Sequence, residues 1–448
     1  MRETHNPQTS IFEFYGEHET GQQLRVISTI LDKNPAILAI AAKVVLPSGT
    51  KETGRNGLTV DTIVRAGLLK QMMGLTYDEL SFYLQDSVSY STFARVEYLN
   101  GPSKTCLQSC ISKIDAATWE AINRTLLADA AAKGIEKGRM VRIDSTVTES
   151  HIHPPTDSRL LWDCVRVMVR QLHEIKAALA PGAFNFCDRS RVAKKRMNNI
   201  VYMRGESKKL KLYKALLQHT KETKGYLKDA LTRQSQSIKP MIFKSLMHEA
   251  TALLGLTQKV INQTERRVLQ GENVPQQDKV FSIFEPHTDI IVKGARDIQY
   301  GHKLNITTGK SGMVLDVYVE EGNPADAARL CPMIERQQDI YGRAPRQAAA
   351  DGGYASKENL SEAKSLGVKD VAFHKRRGIN VEDMVKSNWV YKKLYKFRAG
   401  VEGNISCLKR RFGLSRCNWK GLDRFKAYVW ASSVAYNLLQ LARIESAT

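Results

Sequence analysis

The 448-residue sequence predicts a mixed α/β protein. Its core is a mixed five-stranded sheet flanked by helices, with a helical N-terminal segment before it and a basic helical insertion within it. Three observations carry this. An alternating β-branched segment at Arg139–Ser150 is followed by a long stretch of helical periodicity. A strand–turn–strand pattern then appears between Tyr300 and Val319. Behind it strands and helices alternate, as in βα units.

The first 137 residues read as helical. Gly57-Leu-Thr-Val-Asp opens a segment with Ile63, Val64, Leu68 and Met72 near helical spacing, and Gly74 ends it. Thr76 and Glu79 have capping-box spacing ahead of Leu80, Phe82 and Leu84. Ser89 or Ser91 offers an N-cap for a second short helix carrying Phe93 and Val96. Two short helices joined by a polar turn suit a helix-turn-helix DNA reader or a plain helical hairpin.

At Arg139–Ser150, Val141, Ile143 and Val147 lie on one face of a strand, and Arg142, Asp144 and Thr146 on the other, polar face. Leu161, Val165, Met168, Leu172, Ile175 and Leu179 then make a helical stripe ending near Pro181-Gly182. Helical pattern continues to about Gln270. Residues 155–280 form the expected insertion, between core segments 138–154 and 281–448. Tyr300–Thr308 and Met313–Val319 predict a hairpin around Gly309-Lys-Ser-Gly312. A helix at about Pro324–Tyr341, a strand at Gln347–Ala350, a helix after Ser356 and a strand at Asp370–Phe373 follow. Helices over about Tyr395–Phe412 and Leu422–Arg443 close the chain.

Charge narrows the partners. Lys and Arg total 67 against 46 Asp and Glu, a net of +21. A strongly basic globular chain points to a polyanion, nucleic acid or anionic membrane. The membrane reading weakens because the opening residues are polar and acidic, unlike a signal peptide. The apolar run Ala36–Leu46 is too short to span and contains Lys43. Ala427–Ala442 carries Ser432, Ser433, Tyr436, Asn437 and Gln440 and reads as a buried core helix. From Arg189 to Lys244 sixteen Lys and Arg face three Asp and Glu, a net of +13. Such single-sign enrichment favours a nucleic-acid surface, and Arg191, Lys194, Lys195, Arg196, Lys208, Lys209, Lys211 and Lys214 are its candidate contacts. The seven cysteines include no CxxC pair, so all read as buried structural thiols in a reducing cytoplasm.

Three acids occupy special positions. Asp144 is on the polar face of the first strand. Asp351 ends a strand and precedes two glycines, which allow close approach. Glu402 lies on a helix where Tyr395, Arg398 and Lys409 share its stripe, within about 60° at 100° per residue. That stripe adjoins an apolar face of Phe397, Val401, Ile405, Leu408 and Phe412. Arg398 and Glu402 are also spaced for a simple surface ion pair. Carboxylates on separate elements suit hard divalent cations, and Mg²⁺ is commonly held by one or two of them plus phosphate oxygens. Paired ions about 4 Å apart can activate a hydroxyl and stabilise the leaving oxygen of a phosphodiester. Other patterns carry less. His151-Ile-His153 is followed by two prolines and has no visible partner, and Gly309–Gly312 is far from a full phosphate-binding loop.

The spacing Tyr395-x2-Arg398-x3-Glu402-x6-Lys409 resembles the signature around the catalytic glutamate of bacterial insertion-sequence DDE transposases. Asp351-Gly-Gly-Tyr354 resembles their D-x-G-Y block, Val141-Arg-Ile-Asp144-Ser-Thr their first-aspartate strand, and Leu58–Val96 their common N-terminal domain. The overall arrangement is most similar to the ISNCY group. The resemblance implies a ribonuclease-H-like catalytic core with Asp144, Asp351 and Glu402 as a metal-binding catalytic triad. It implies two Mg²⁺ ions, with Mn²⁺ substituting. Arg398 and Lys409 would contact phosphate, and Tyr395 and Tyr354 would support or orient. Double-stranded DNA is the implied partner, as element terminal inverted repeats and as target, with the protein a homodimer or higher multimer. The best-known relatives carry their insertion before the Glu-bearing helix, whereas here it follows the first strand. The implied reaction is cleavage at transposon ends and joining of the 3′-hydroxyl to target DNA. A non-catalytic transposase-derived DNA binder and a nuclease of the same fold without strand transfer stay open as alternatives.

Overall fold

The computed structural model describes residues 15–46, 57–97, 99–178, 184–234, 240–293 and 297–447. It divides into two compact units. One holds the chain up to His151 together with Gly301–Thr448; the other is essentially Ile152–Ile290.

The first unit is built on a mixed sheet. Its strands in chain order are β1 (Met140–Ser150), β2 (Asp289–Lys293), β3 (Asp297–Gly309), β4 (Val314–Val319), β5 (Gln347–Ala350), β6 (Asp370–Phe373) and β7 (Arg416–Cys417). β1 pairs antiparallel with β3 and parallel with β5, β3 pairs antiparallel with β4, and β5 pairs parallel with β6. The five expected strands thus lie in the order β4-β3-β1-β5-β6, and β2 on β3 and β7 on β1 extend the sheet to seven. The hairpin is the expected one: Gly309 N–H donates to Met313 O at 2.9 Å, and Gly312 takes φ +83°. Glu136 explains why Gly309–Gly312 is only a turn. Its carboxylate accepts from the Ser311 N–H and hydroxyl at 2.9 and 2.7 Å, filling the turn with an internal anion. A Cβ on Gly309 would lie 2.2 Å from that carboxylate.

β1 corrects one expectation. Its supposed polar face is not open to solvent, since Arg142 and Thr146 are buried like Val141 and Ile143. A helix covers it, and Arg142 serves as the anchor described below. Burial of each large aliphatic side chain of this core is worth about 1.5–3 kcal/mol. A buried amide junction joins the helix Ala116–Ala132, β4 and the helix Leu422–Ala447. Asn437 accepts from Val314 N–H at 2.8 Å and donates to Asn123 at 2.7 Å. The C-terminal helix is buried on nearly every side, as its mixed apolar and small polar sequence predicts.

Several helix starts differ from expectation. The helix Val60–Met73 ends at Gly74 in the left-handed region, and Thr76 and Glu79 form the predicted reciprocal cap of Tyr77–Asp86. The next helix, Val88–Ala94, is capped by Ser87 rather than Ser89 or Ser91, and Val96 lies beyond it. The Glu402 helix runs Asn388–Arg411, starting well before the expected Tyr395: Ser387 accepts from Val390 N–H, and Val390 and Leu394 extend the buried stripe. All seven cysteines are free, but only Cys110, Cys164, Cys331 and Cys417 are buried; Cys187 is exposed. No described helix is long and apolar enough to cross a membrane.

The second unit is helical: Asp157–Ala177, Ser190–Tyr202, Glu206–Gln234 and Pro240–Thr264. Leu161, Val165, Met168, Leu172 and Ile175 form the buried stripe as predicted, packed with Ala193, Met197, Leu216 and Leu227. The expected stop at Pro181-Gly182 lies outside the described residues.

Candidate active site

Strand register places the first two acids. In the parallel β1–β5 pair, Ile143 lies opposite Ala350. The next residues therefore lie level with one another: Asp144 within β1, and Asp351 just past the carboxyl end of β5, where sites collect in α/β sheets. Asp144 is partly fixed by the strand backbone beside it, accepting from Ser145 N–H at 2.8 Å.

The third acid arrives on the Asn388–Arg411 helix, and Arg142 sets its docking. From β1, the Arg142 guanidinium donates to Thr308 Oγ1, Phe397 O and Asn404 Oδ1 at 2.8, 2.7 and 2.8 Å. It also lies over the Phe397 ring, 4.6 Å from the centroid. Burial lowers its tendency to hold a proton, though an arginine remains charged. Gly400 permits this approach, because a Cβ there would lie 2.2 Å from Arg142 Nη1. Asn404 continues the clamp, donating to Gly312 O at 2.5 Å and Tyr436 Oη at 2.8 Å.

With the helix so placed, the three acids surround one guanidinium. Arg398 Nη2 is 3.2 Å from Asp144 Oδ2 and 3.6 Å from Asp351 Oδ1, while Nη1 donates to Glu402 Oε1 at 2.8 Å. Arg398 and Asp144 side chains are only 10% and 14% exposed; Asp351 and Glu402 are open at 43% and 70%. So the Arg398–Glu402 pair is more than a surface i,i+4 contact: it is one edge of a four-residue cluster. Arg398 Nε is buried without a partner, so the guanidinium is incompletely satisfied. As the side chains lie, no group of three His, Cys, Asp or Glu among the described residues is gathered to hold a metal ion. His151 and His153 are exposed and join no such group. The acids nevertheless suit a hard cation: their donors are all oxygen, and a positive group already stands among them.

The Asp351 block is held from below. Tyr354 is fully buried and donates to Asn305 Oδ1 at 3.0 Å, and Asn305 donates to Glu320 at 2.6 Å. Burial first, then the nearby Asp326 and Asp144, drive the Tyr354 phenol well above its ordinary pKa, so it stays a donor. The two glycines have separate reasons. A Cβ on Gly352 would lie 2.5 Å from Lys375 Cβ, and one on Gly353 2.9 Å from Asp326 Oδ2.

Sequence reasoning missed His374. It directly follows β6, its N–H donates to Ala350 O, and its Nδ1 is 3.9 Å from Asp351 Oδ1. Its ring stacks on Tyr395, with centroids 4.5 Å apart and planes 17° from parallel. The strand end Asp370–Phe373 was the available signal. The exposed run Lys375-Arg376-Arg377 follows it. Lys409 lies seven residues beyond Glu402 on the same helix, about 10 Å along its axis.

The eight candidate DNA contacts lie on two helices of the other unit. Arg191, Lys194, Lys195, Lys208, Lys211 and Lys214 are exposed, and Arg196 and Lys209 half-buried. None has a carboxylate partner among the described residues, so their charge is uncompensated.

Comparison with known proteins adds one match. Residues 292–438 match the family described as transposase DDE domain, about a third of the chain, including Asp351, Arg398 and Glu402 but not Asp144. No curated protein and no solved structure matches the chain. DDE transposases generally use divalent metals and bind DNA. The chain carries a transposase DDE domain of the kind found in insertion-sequence transposases.

Proposed function

We propose that this protein is a DNA transposase that cuts phosphodiesters at the ends of its element and joins the freed 3′-hydroxyl to target DNA. One observation carries the reading: carboxylates from β1, the end of β5 and a distant helix converge on a single arginine. The order β4-β3-β1-β5-β6, with β3 antiparallel to its neighbours, supports a ribonuclease-H-like core. Asp144, Asp351 and Glu402 would hold divalent cations, two Mg²⁺ ions with Mn²⁺ able to substitute. Bound there, such ions supply activation of the attacking hydroxyl and charge stabilisation at the leaving oxygen.

The chain's own residues do the rest. Arg142 and Gly400 hold the Glu402 helix against β1, fixing the third acid relative to the first. Arg398 occupies the acids' charge until cations and DNA replace it, and its fork then suits a phosphate oxygen pair. His374 and Tyr395 brace one another, with His374 against the open side of Asp351. Tyr354 locks the turn that carries Asp351. Lys409, about two turns away, would hold phosphate further along the strand. The uncompensated cations of the helical insertion would bind duplex DNA, giving affinity without sequence reading. The N-terminal helices around Thr76 and Ser87 would recognise the element's terminal repeats. A homodimer or larger assembly would bring two ends together.

The test is strand cleavage of a labelled element end with Mg²⁺ or Mn²⁺, followed by joining of a precleaved end. Asp351→Asn and Glu402→Gln should bind the end but neither cut nor join it. Full cleavage by either variant removes that acid from the chemistry. Cutting without joining by the natural protein indicates a nuclease, and binding without cutting a DNA-binding derivative.

A further inference from the structure

Away from the three acids, the first unit contains a pocket of about 260 Å³. It lies among the end of the helix Val60–Met73, the start of Tyr77–Asp86, the helix Lys104–Ile111 and the segment Asn418–Arg424. Its cationic lining is Lys70, Lys420 and Arg424, and its aromatic lining Tyr77 and Trp419. The adjoining strand β7 pairs with Glu149 and Ser150, five to six residues past Asp144. At 3.3 Å per residue this is roughly 16–20 Å along β1 from the proposed catalytic acid.

Lys70 makes the pocket unusual. It is 3% exposed, yet no carboxylate or other hydrogen-bond partner meets it among the described residues. Its ammonium faces two rings, at 4.9 Å from the Tyr77 centroid and 5.8 Å from that of Trp419, with Cys417 and Glu79 near enough to act on its charge. A buried lysine without an anion is costly, and the fold retains it where a pocket opens. Lys420 and Arg424 are exposed at the same pocket and also lack carboxylate partners among the described residues. The indole N–H of Trp419, largely buried, has no acceptor. Thr76, Gln108, Ser112 and Asn418 add neutral polar groups. Glu79 acts on Lys70 electrostatically, but its carboxylate accepts the capping Thr76 N–H at 2.7 Å.

Three unpaired cations beside two aromatic walls select a ligand that is anionic at one end and flat and apolar at the other. We propose that this pocket binds a nucleotide, with its phosphate on Lys70, Lys420 and Arg424 and its base along Tyr77 and Trp419. The nucleotide is either free or part of a DNA strand. Phosphate draws on charge-assisted hydrogen bonds, and the base on the π-faces that single-stranded DNA binders also use. Burial pulls the Lys70 pKa down to about 8, opposed by Cys417 and Glu79, so an arriving phosphate would restore its proton at mildly basic pH. The proposal does not depend on the three acids, and Glu402→Gln should leave binding here unchanged.

The test uses the full chain with deoxyadenosine monophosphate, inorganic phosphate and a DNA duplex as probes, read by titration calorimetry. Lys70→Met removes the buried charge. A second variant combining Lys420→Gln with Arg424→Gln changes only exposed positions and guards against misfolding, which thermal melting checks. Deoxyadenosine monophosphate should bind saturably and more tightly than inorganic phosphate, with at least tenfold loss in both variants. That result identifies a free nucleotide as sufficient. Loss of duplex affinity in both variants, without binding of the mononucleotide, identifies a strand nucleotide as the occupant. Unchanged affinity for mononucleotide and duplex in folded variants would overturn the proposal.

Discussion

Arg398→Gln should make the DNA-free protein bind divalent cations more tightly. The natural guanidinium is a resident competitor, lying 2.8–3.6 Å from oxygens of all three acids. Its pairs with Asp351 and Glu402 are solvent-screened and worth about 0–1 kcal/mol each. Its contact with Asp144 is nearly buried on both sides and worth about 1.5–3 kcal/mol as a charge-assisted bond. A cation entering the cluster must offset most of this, so removing the competitor should improve binding by about 2 kcal/mol, roughly 30-fold. Manganese titration followed by electron paramagnetic resonance measures it directly, without DNA or turnover. Arg398→Lys keeps the charge and should lie between. The same Gln variant should cut DNA poorly, because it loses the phosphate fork. Unchanged or weaker manganese binding in a folded Arg398→Gln protein would refute the competitor role.

Other consequences follow from the same geometry. Gly400→Ala would gain about 1 kcal/mol of helix propensity at an open site, but its Cβ would meet Arg142 Nη1 at 2.2 Å. A net loss of about 2–4 kcal/mol and weak cleavage are expected in denaturant unfolding and nicking assays; a stabilised, active variant would show that the clamp can yield. Tyr354→Phe leaves Asn305 Oδ1 without its phenol donor and should cost about 1–2 kcal/mol in stability while the acids keep cleaving. Complete loss of cleavage by a stable Phe variant would give that phenol a direct role. Lys70→Met should stabilise the protein below pH 8, because the native lysine has its pKa lowered to about 8 from 10.5. Between those values the unfolded chain binds the extra proton, so natural stability rises with pH. The Met advantage, roughly 3 kcal/mol at neutral pH, should therefore fade as pH climbs toward 10.5, as melting curves across that range would show; a constant advantage would contradict the buried charge.

Much of the fold could be read from pattern because pattern and packing agree there. β1, the β3–β4 hairpin, β5 and β6 alternate or form short apolar runs bounded by turn residues. The Glu402 stripe lies beside an apolar face whose Val401, Leu408 and Phe412 are fully buried. Elements fixed by distant partners were not legible. β7 is two residues long and exists only because β1 offers an edge beside it. The first turns of the Glu402 helix carry exposed Trp389, Lys392 and Lys393 around buried Val390 and Leu394, which continue the apolar stripe back toward the Ser387 cap. Arg142 looks like a solvent residue on an alternating strand, and its burial depends on carbonyl and amide acceptors over 250 residues away. The acids themselves were legible as residues on separate elements. Their convergence on Arg398, and the approach of His374, arise from strand order and register.

Asp144 is the sharpest test of the three-acid site, since it lies outside the stretch that matches a transposase DDE domain and meets the site through its contact with Arg398. Cleavage of a labelled element end by Asp144→Asn, with end binding measured alongside, decides it. Normal binding and a loss of cleavage as deep as that of Glu402→Gln are expected. Cleavage at the natural rate by a folded Asp144→Asn protein would contradict the three-acid site.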